Sequence, residues 1–328
     1  CFGVGILYEE GMGALQDYKK ANELYSKACD LEIAEGCYNL GVLHYLGEGI
    51  KQNIEKARNL LSRACNLGYG LGCNDLGALY EKQDYKKATE LYSKACDLKN
   101  SIACGNLGVL YYSGKGVKQD YKKATELLSK ACDLQEGRGC YNLGLLYASG
   151  EGVKQDYKKA SELYLKACDL KHGESCHNLG ILYEKGEGVK QSYQKANELY
   201  SRACELELAQ SCYNLGNSYE NGSGTKQDYK KAYELYSNLG LINGCYNMGV
   251  LYYSGEGVER DSKKANELFS KACRLEFADG CYNLGISYFY GEGVKQDTNT
   301  AKKYLNKACD LGSQVGCDGY KKLNELGF

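Results

Sequence analysis

The chain has 328 residues, with 41 Lys and Arg against 42 Asp and Glu and a net charge of −1. That balance excludes the basic stripe that phosphate binding needs, so nucleic acid is not an expected partner. No apolar stretch approaches the roughly 20 residues that span a bilayer. Hydrophobic residues make up 43%, which suits a folded core and not a disordered chain. Proline and tryptophan are absent, and tyrosine counts 32. A chain without proline fits helices joined by short turns. It begins at Cys1, without a methionine, which reads as a processed or cut end.

Length alone suggests two domains, but the sequence is periodic throughout. A cysteine opening the pattern C-x-N-L-G, with small departures, stands at Cys1, Cys37, Cys73, Cys104, Cys140, Cys176, Cys212, Cys245 and Cys281. A degenerate copy follows at Cys317. The expected organisation is nine helix-pair repeats over 1–316, starting at those cysteines, and a C-terminal capping helix over 317–328. Lys321 replaces the glycine of its column in that last helix.

Each repeat reads alike. In the fifth, Cys140-Tyr-Asn-Leu-Gly-Leu-Leu-Tyr147 opens a first helix that stops at the glycines of Gly150-Glu-Gly-Val-Lys. Asp156 then caps a second helix, which runs to Leu170. The cap column reads Asp17, Asn53, Asp84, Asp120, Asp156, Ser192, Asp228, Asp261 and Asp297. Glycine recurs at the fifth position of every repeat, from Gly5 and Gly41 to Gly285. Glycine inside a helix costs about 1 kcal/mol relative to alanine, so a neighbouring helix is expected to pass too close for a side chain. An alanine column, Ala21 to Ala301, is the expected opposite surface. The tyrosine column Tyr8, Tyr80, Tyr111, Tyr147, Tyr183, Tyr219, Tyr252 and Tyr288 is expected in the core. The third repeat lacks the five-residue glycine loop, between Tyr80 and Asp84.

These motifs resemble the Sel1-like repeat, a relative of the tetratricopeptide repeat. With cysteines at two alanine positions, the chain resembles the secreted cysteine-rich Sel1-like proteins of Helicobacter. The resemblance implies an all-α, right-handed α-solenoid exported by a bacterium. It implies a scaffold that binds peptides or proteins and interacts with a host immune system; a monomer without a cofactor or metal is the expected form. The alternative that it carries is a penicillin-binding or weak β-lactamase activity.

Sixteen cysteines fall into pairs eight residues apart. They are Cys29 and Cys37, Cys65 and Cys73, Cys96 and Cys104, Cys132 and Cys140, Cys168 and Cys176, Cys204 and Cys212, Cys273 and Cys281, and Cys309 and Cys317. Disulfides across each turn are the favoured reading, which places the chain in a secreted or periplasmic, oxidising setting. Zinc fits poorly, because its sites favour shorter spacings and four convergent ligands. Buried thiols in a reducing cytosol are the third reading. Cys1 and Cys245 are left free; Gly240 occupies the partner column of Cys245.

A serine β-lactamase needs Ser-x-x-Lys with S-D-N and K-T-G elements. Ser192 with Lys195, and Ser223 with Lys226, match only the first. Ser192 also stands in the cap column, so these are weak catalytic candidates. His44 takes a tyrosine position, while His172 and His177 flank Cys176; packing and surface roles are expected for all three. The asparagine ladder is the candidate binding feature: Asn39, Asn106, Asn142, Asn178, Asn214, Asn247 and Asn283, with Gly3 and Asp75 as departures. Asparagine is a mediocre helix former but offers both a donor and an acceptor. In tetratricopeptide relatives the first helices line a concave groove where asparagines hold extended peptides. The competing reading is that each asparagine bonds within the repeat stack.

Overall fold

A computed structural model describes residues 1–13, 15–238 and 242–327. Among them all regular structure is helical. The first helices are α1 (Phe2–Glu10), α3 (Ala34–Leu46), α5 (Gly70–Glu81), α7 (Ser101–Ser113), α9 (Gly137–Ser149), α11 (Gly173–Lys185), α13 (Ala209–Asn221), α15 (Ile242–Ser254) and α17 (Ala278–Tyr290). The second helices are α2 (Tyr18–Asp30), α4 (Ile54–Asn66), α6 (Tyr85–Asp97), α8 (Tyr121–Asp133), α10 (Tyr157–Asp169), α12 (Tyr193–Glu205), α14 (Tyr229–Asn238), α16 (Ser262–Arg274) and α18 (Thr298–Asp310). A last helix, α19 (Gln314–Glu325), follows. Within Cys1–His172 and within Gly173–Phe328 consecutive helices pack on one another, which is the arrangement of an α-solenoid. The chain divides into two compact units, Cys1–His172 and Gly173–Phe328.

The second helices start where side chains satisfy free N–H groups. Asp120 Oδ1 accepts from Lys123 N at 2.9 Å and Asp156 Oδ1 from Lys159 N at 3.0 Å. The cap residue's own N–H returns to the carbonyl of the tyrosine column, as in Asp120 to Tyr111 (3.0 Å) and Asp156 to Tyr147 (2.8 Å). The third repeat makes the same bond, Asp84 N to Tyr80 O at 2.7 Å, without the glycine loop. The missing loop therefore leaves the helix junction intact. Elsewhere the loop glycine faces the preceding repeat: a Cβ on Gly152, at φ +74°, would lie 2.1 Å from Tyr121 Cβ.

The fifth-position glycines are crowded, but chiefly by another column. A Cβ on Gly180 would lie 2.6 Å from Tyr200 Cε1, and one on Gly108 2.8 Å from Leu128 Cγ. The bulky residue four places after the expected alanine fills the space. The alanines stand beneath it, fully buried. The tyrosine column also departs from expectation. Its rings are half-buried, and a lysine from the start of the second helix lies over many of them: Lys123 is 4.4 Å from the Tyr111 centroid and Lys159 4.3 Å from that of Tyr147. A ring between core and solvent, with a cation on its open face, gains from both sides.

Disulfides join Cys29–Cys37, Cys65–Cys73, Cys96–Cys104, Cys132–Cys140, Cys204–Cys212, Cys273–Cys281 and Cys309–Cys317. Cys168 and Cys176 are disulfide-bonded as well. Each of the seven ties the end of a second helix to the start of the helix that follows it, with Cα atoms 4.4 to 4.7 Å apart. Cys1 is free and exposed; Cys245 is free and buried. Gly240, in the partner column of Cys245, lies outside the described residues. At the far end, Leu323 of α19 packs on Ala301 and Leu305, while Lys321 and Lys322 stay exposed.

Candidate functional site

The first helices share a face onto which the second helices push one side chain per repeat. That side chain is Tyr25, Leu61, Tyr92, Leu128, Tyr164, Tyr200, Tyr236, Phe269 or Leu305, and all nine are buried. Each tyrosine needs a partner for its hydroxyl. Tyr25 donates to Glu9, Tyr92 to Glu81 at 2.7 Å, Tyr200 to Glu184 at 2.6 Å and Tyr236 to Glu220 at 2.8 Å. Where the second helix offers leucine or phenylalanine, the first helix offers a ring instead of the carboxylate. Tyr45 stands against Leu61, Tyr112 against Leu128, and Phe289 against Leu305. Tyr253 lies 6.4 Å from Phe269. Burial first, and then the carboxylate, hold the Tyr25, Tyr92, Tyr200 and Tyr236 hydroxyls protonated, well above the ordinary tyrosine range. This pairing was visible in the sequence as two columns that change together, at a separation of 16 residues that shrinks to 11 in the third repeat, with Ala148 and Tyr164 of the fifth repeat as the exception.

The asparagine ladder lies on this face. All seven members are half-buried. Several lie near tyrosine hydroxyls of the preceding repeat: Asn39 near Tyr25, Asn214 near Tyr200, Asn247 near Tyr236 and Asn283 near Tyr246. In the first unit a polar chain crosses three first helices. Tyr38 donates to Asp75 Oδ2 (2.9 Å), Asn74 Nδ2 donates to Asp75 Oδ1 (3.0 Å), and Asn106 Nδ2 donates to Asn74 Oδ1 (3.2 Å). The ladder thus braces neighbouring repeats while keeping part of each amide at the surface.

Clefts open between successive first helices. One of about 350 Å³ is lined by Val42, Tyr45, Leu61, Asp75, Ala78, Leu79 and Lys82. A second, of about 270 Å³, lies among α11, α12 and α13, lined by Glu184, Tyr193, Ala196, Asn197, Tyr200, Asn214, Asn217, Ser218, Asn221 and Ser223. The first is largely apolar and the second largely polar.

The serine candidates have other partners. Ser192 Oγ caps α12, accepting from Lys195 N at 3.3 Å, and the Lys195 ammonium lies 5.2 Å from the Tyr183 centroid. Ser223 accepts on its carbonyl from Asn197 Nδ2 at 2.7 Å, and Lys226 is exposed beyond it. His44 is buried, with no hydrogen-bond partner on either ring nitrogen. His172 packs on Tyr141 at 4.7 Å between centroids, and His177 Nδ1 lies 2.8 Å from Ser211 Oγ.

Comparison with known proteins locates this architecture. The Sel1 repeat matches at residues 1–32, 34–69, 69–100, 101–136, 137–172, 173–208, 209–238, 242–277 and 278–313. The chain is similar to c5321, a protective antigen of uropathogenic Escherichia coli with an SLR fold, at 26% identity and a TM-score of 0.82. That likeness covers 91% of this chain and 66% of the antigen, so the chain spans slightly under two thirds of that relative. It is also similar to a Sel1 repeat protein of Oxalobacter formigenes, at 26% identity and a TM-score of 0.66, over 92% of this chain and 89% of that one. Cysteine rich protein B of Helicobacter pylori is 33% identical over 52% of this chain and 98% of its own, at a TM-score of 0.24. Curated proteins gave no match. The repeat match runs over almost the whole chain, and the chain belongs to the Sel1 repeat family.

Proposed function

We propose that the protein is a disulfide-stapled scaffold that binds an extended peptide, or an extended segment of a protein, along the face of the first helices. One observation carries this reading: a half-buried amide recurs at one register on seven first helices, and that register lines open clefts, through Asn214 in one and the departing Asp75 in another. An extended backbone presents a donor and an acceptor on each residue, and an asparagine amide answers both. The clefts then take side chains. The disulfides support work in an oxidising compartment outside the cytoplasm, because a reducing cytosol keeps such bonds open.

Selection of displayed random peptides on the oxidised protein tests this. Asn39→Ala, Asn106→Ala and Asn214→Ala are each expected to weaken selected peptides several-fold while the fold persists. Peptides that bind undiminished to all three variants would remove the ladder from recognition.

A further inference from the structure

We propose that the cleft among α11, α12 and α13 is a subsite for a guanidinium group, carried by an arginine side chain of the bound chain. This rests on the peptide-binding reading and gives it a sequence preference. The seventh repeat is where the pattern changes. Asn217 stands at a position that is apolar in the other eight repeats, such as Val42, Val109, Ile181 and Ile286. An apolar residue there would pack; an asparagine beside an open cleft has another use.

The hydrogen-bond inventory decides which atoms face the cleft. The Tyr236 hydroxyl lies 2.6 Å from the Asn217 amide oxygen and 2.8 Å from Glu220 Oε2. It has one proton, and the charged carboxylate is the stronger acceptor. Oxygen and nitrogen of an asparagine amide exchange by a simple flip. The Asn217 NH₂ therefore serves the Tyr236 oxygen and its carbonyl turns outward. Tyr200 likewise gives its proton to Glu184, at 2.6 Å, while the Asn214 carbonyl accepts from Gln210 Nε2 at 3.3 Å. Asn197 spends its NH₂ on the Ser223 carbonyl at 2.7 Å. Asn197 is thus anchored through its nitrogen, as Asn217 is after the flip, and these two oxygens remain as acceptors.

Among the described residues lining the cleft there is one carboxylate, Glu184, and no cationic side chain. A cleft with a carboxylate, two outward amide oxygens and no cation favours a ligand with N–H donors and a positive charge. Guanidinium has five N–H donors in one plane and no acceptor. A neutral isostere loses the charge and brings an oxygen against the amide carbonyls.

The test titrates N-acetyl-arginine methylamide, and its citrulline counterpart, into the oxidised chain, following side-chain amide resonances. The arginine derivative is expected to shift Asn214 and Asn217 saturably, with the citrulline derivative at least tenfold weaker. Asn217→Ile restores the residue of the other repeats, and Glu184→Gln keeps an acceptor for Tyr200. Each is expected to weaken the arginine derivative at least threefold in a folded chain. No saturable shift, equal binding of the two probes, or unchanged binding by both variants would overturn the subsite. The wider reading fails separately: selected peptides that need the ladder but show no arginine preference would leave the groove standing and remove this subsite.

Discussion

The Tyr200 hydroxyl donates to Glu184 Oε2 at 2.6 Å, joining the second helix of the sixth repeat to its first. Asn214 of the next repeat lines the same cleft, and the buried phenol ties the two helices of its own repeat. Tyr200→Phe is expected to destabilise by about 1.5–3 kcal/mol, the range for a hydrogen bond to a charged group. Adding Glu184→Tyr recreates the ring pair of Phe269 and Tyr253 and is expected to recover part of that loss. Urea denaturation of the two single variants and the double one measures the coupling, and strictly additive effects would refute it.

Close approach at the fifth position makes a second prediction. Gly180→Ala adds a Cβ at 2.6 Å from Tyr200 Cε1. Overpacking of this kind costs about 1–3 kcal/mol, more than the about 1 kcal/mol of helix propensity that alanine returns. Gly3, also in a first helix, has nothing within 4 Å of an added Cβ. Gly3→Ala is expected to be neutral or slightly stabilising. Thermal denaturation of the pair checks the contrast.

His44 gives the fold a pH dependence. Burial first, and then Lys56, hold its pKa below the usual histidine value. The unfolded chain therefore binds a proton, as pH falls through the ordinary histidine range near 6.5, before the folded chain does. Stability is expected to be full above that range and to fall as pH drops toward the lowered value. His44→Tyr, the residue of its column, is expected to flatten that part of the curve. Denaturation midpoints from pH 7.5 to 5.5 in both proteins would show it, and parallel curves would exclude His44 as the source.

The staples should act one repeat at a time. In the loop-entropy account, a bond closing about nine residues contributes about 2.5 kcal/mol. Replacing both Cys132 and Cys140 by serine is expected to lower stability by roughly that amount. The two free thiols should differ as well. Maleimide is expected to modify exposed Cys1 in the native protein, and buried Cys245 only after denaturation, as peptide mass mapping would reveal.

Much of this molecule is written in short range along the chain. Asp156 announces a helix start and Gly150 a helix end, and the eight-residue spacing of Cys132 and Cys140 announces a staple. These signals work because a cap, a left-handed turn and a short disulfide loop each involve only neighbours in sequence. Repetition then multiplies one repeat into a stack, since one helix pair cannot bury its own apolar face. Tertiary structure decided what no single column states. It set Tyr200, not Ala196, against Gly180. It left the Tyr147 ring half-buried under Lys159, where a recurring tyrosine read as core. It gathered Glu184, Asn214 and Asn217 around one cleft from two first helices. Periodicity fixes which residues share a helix face, but the contact between two faces depends on how closely the helices pack, and that follows from the bulk of every side chain between them.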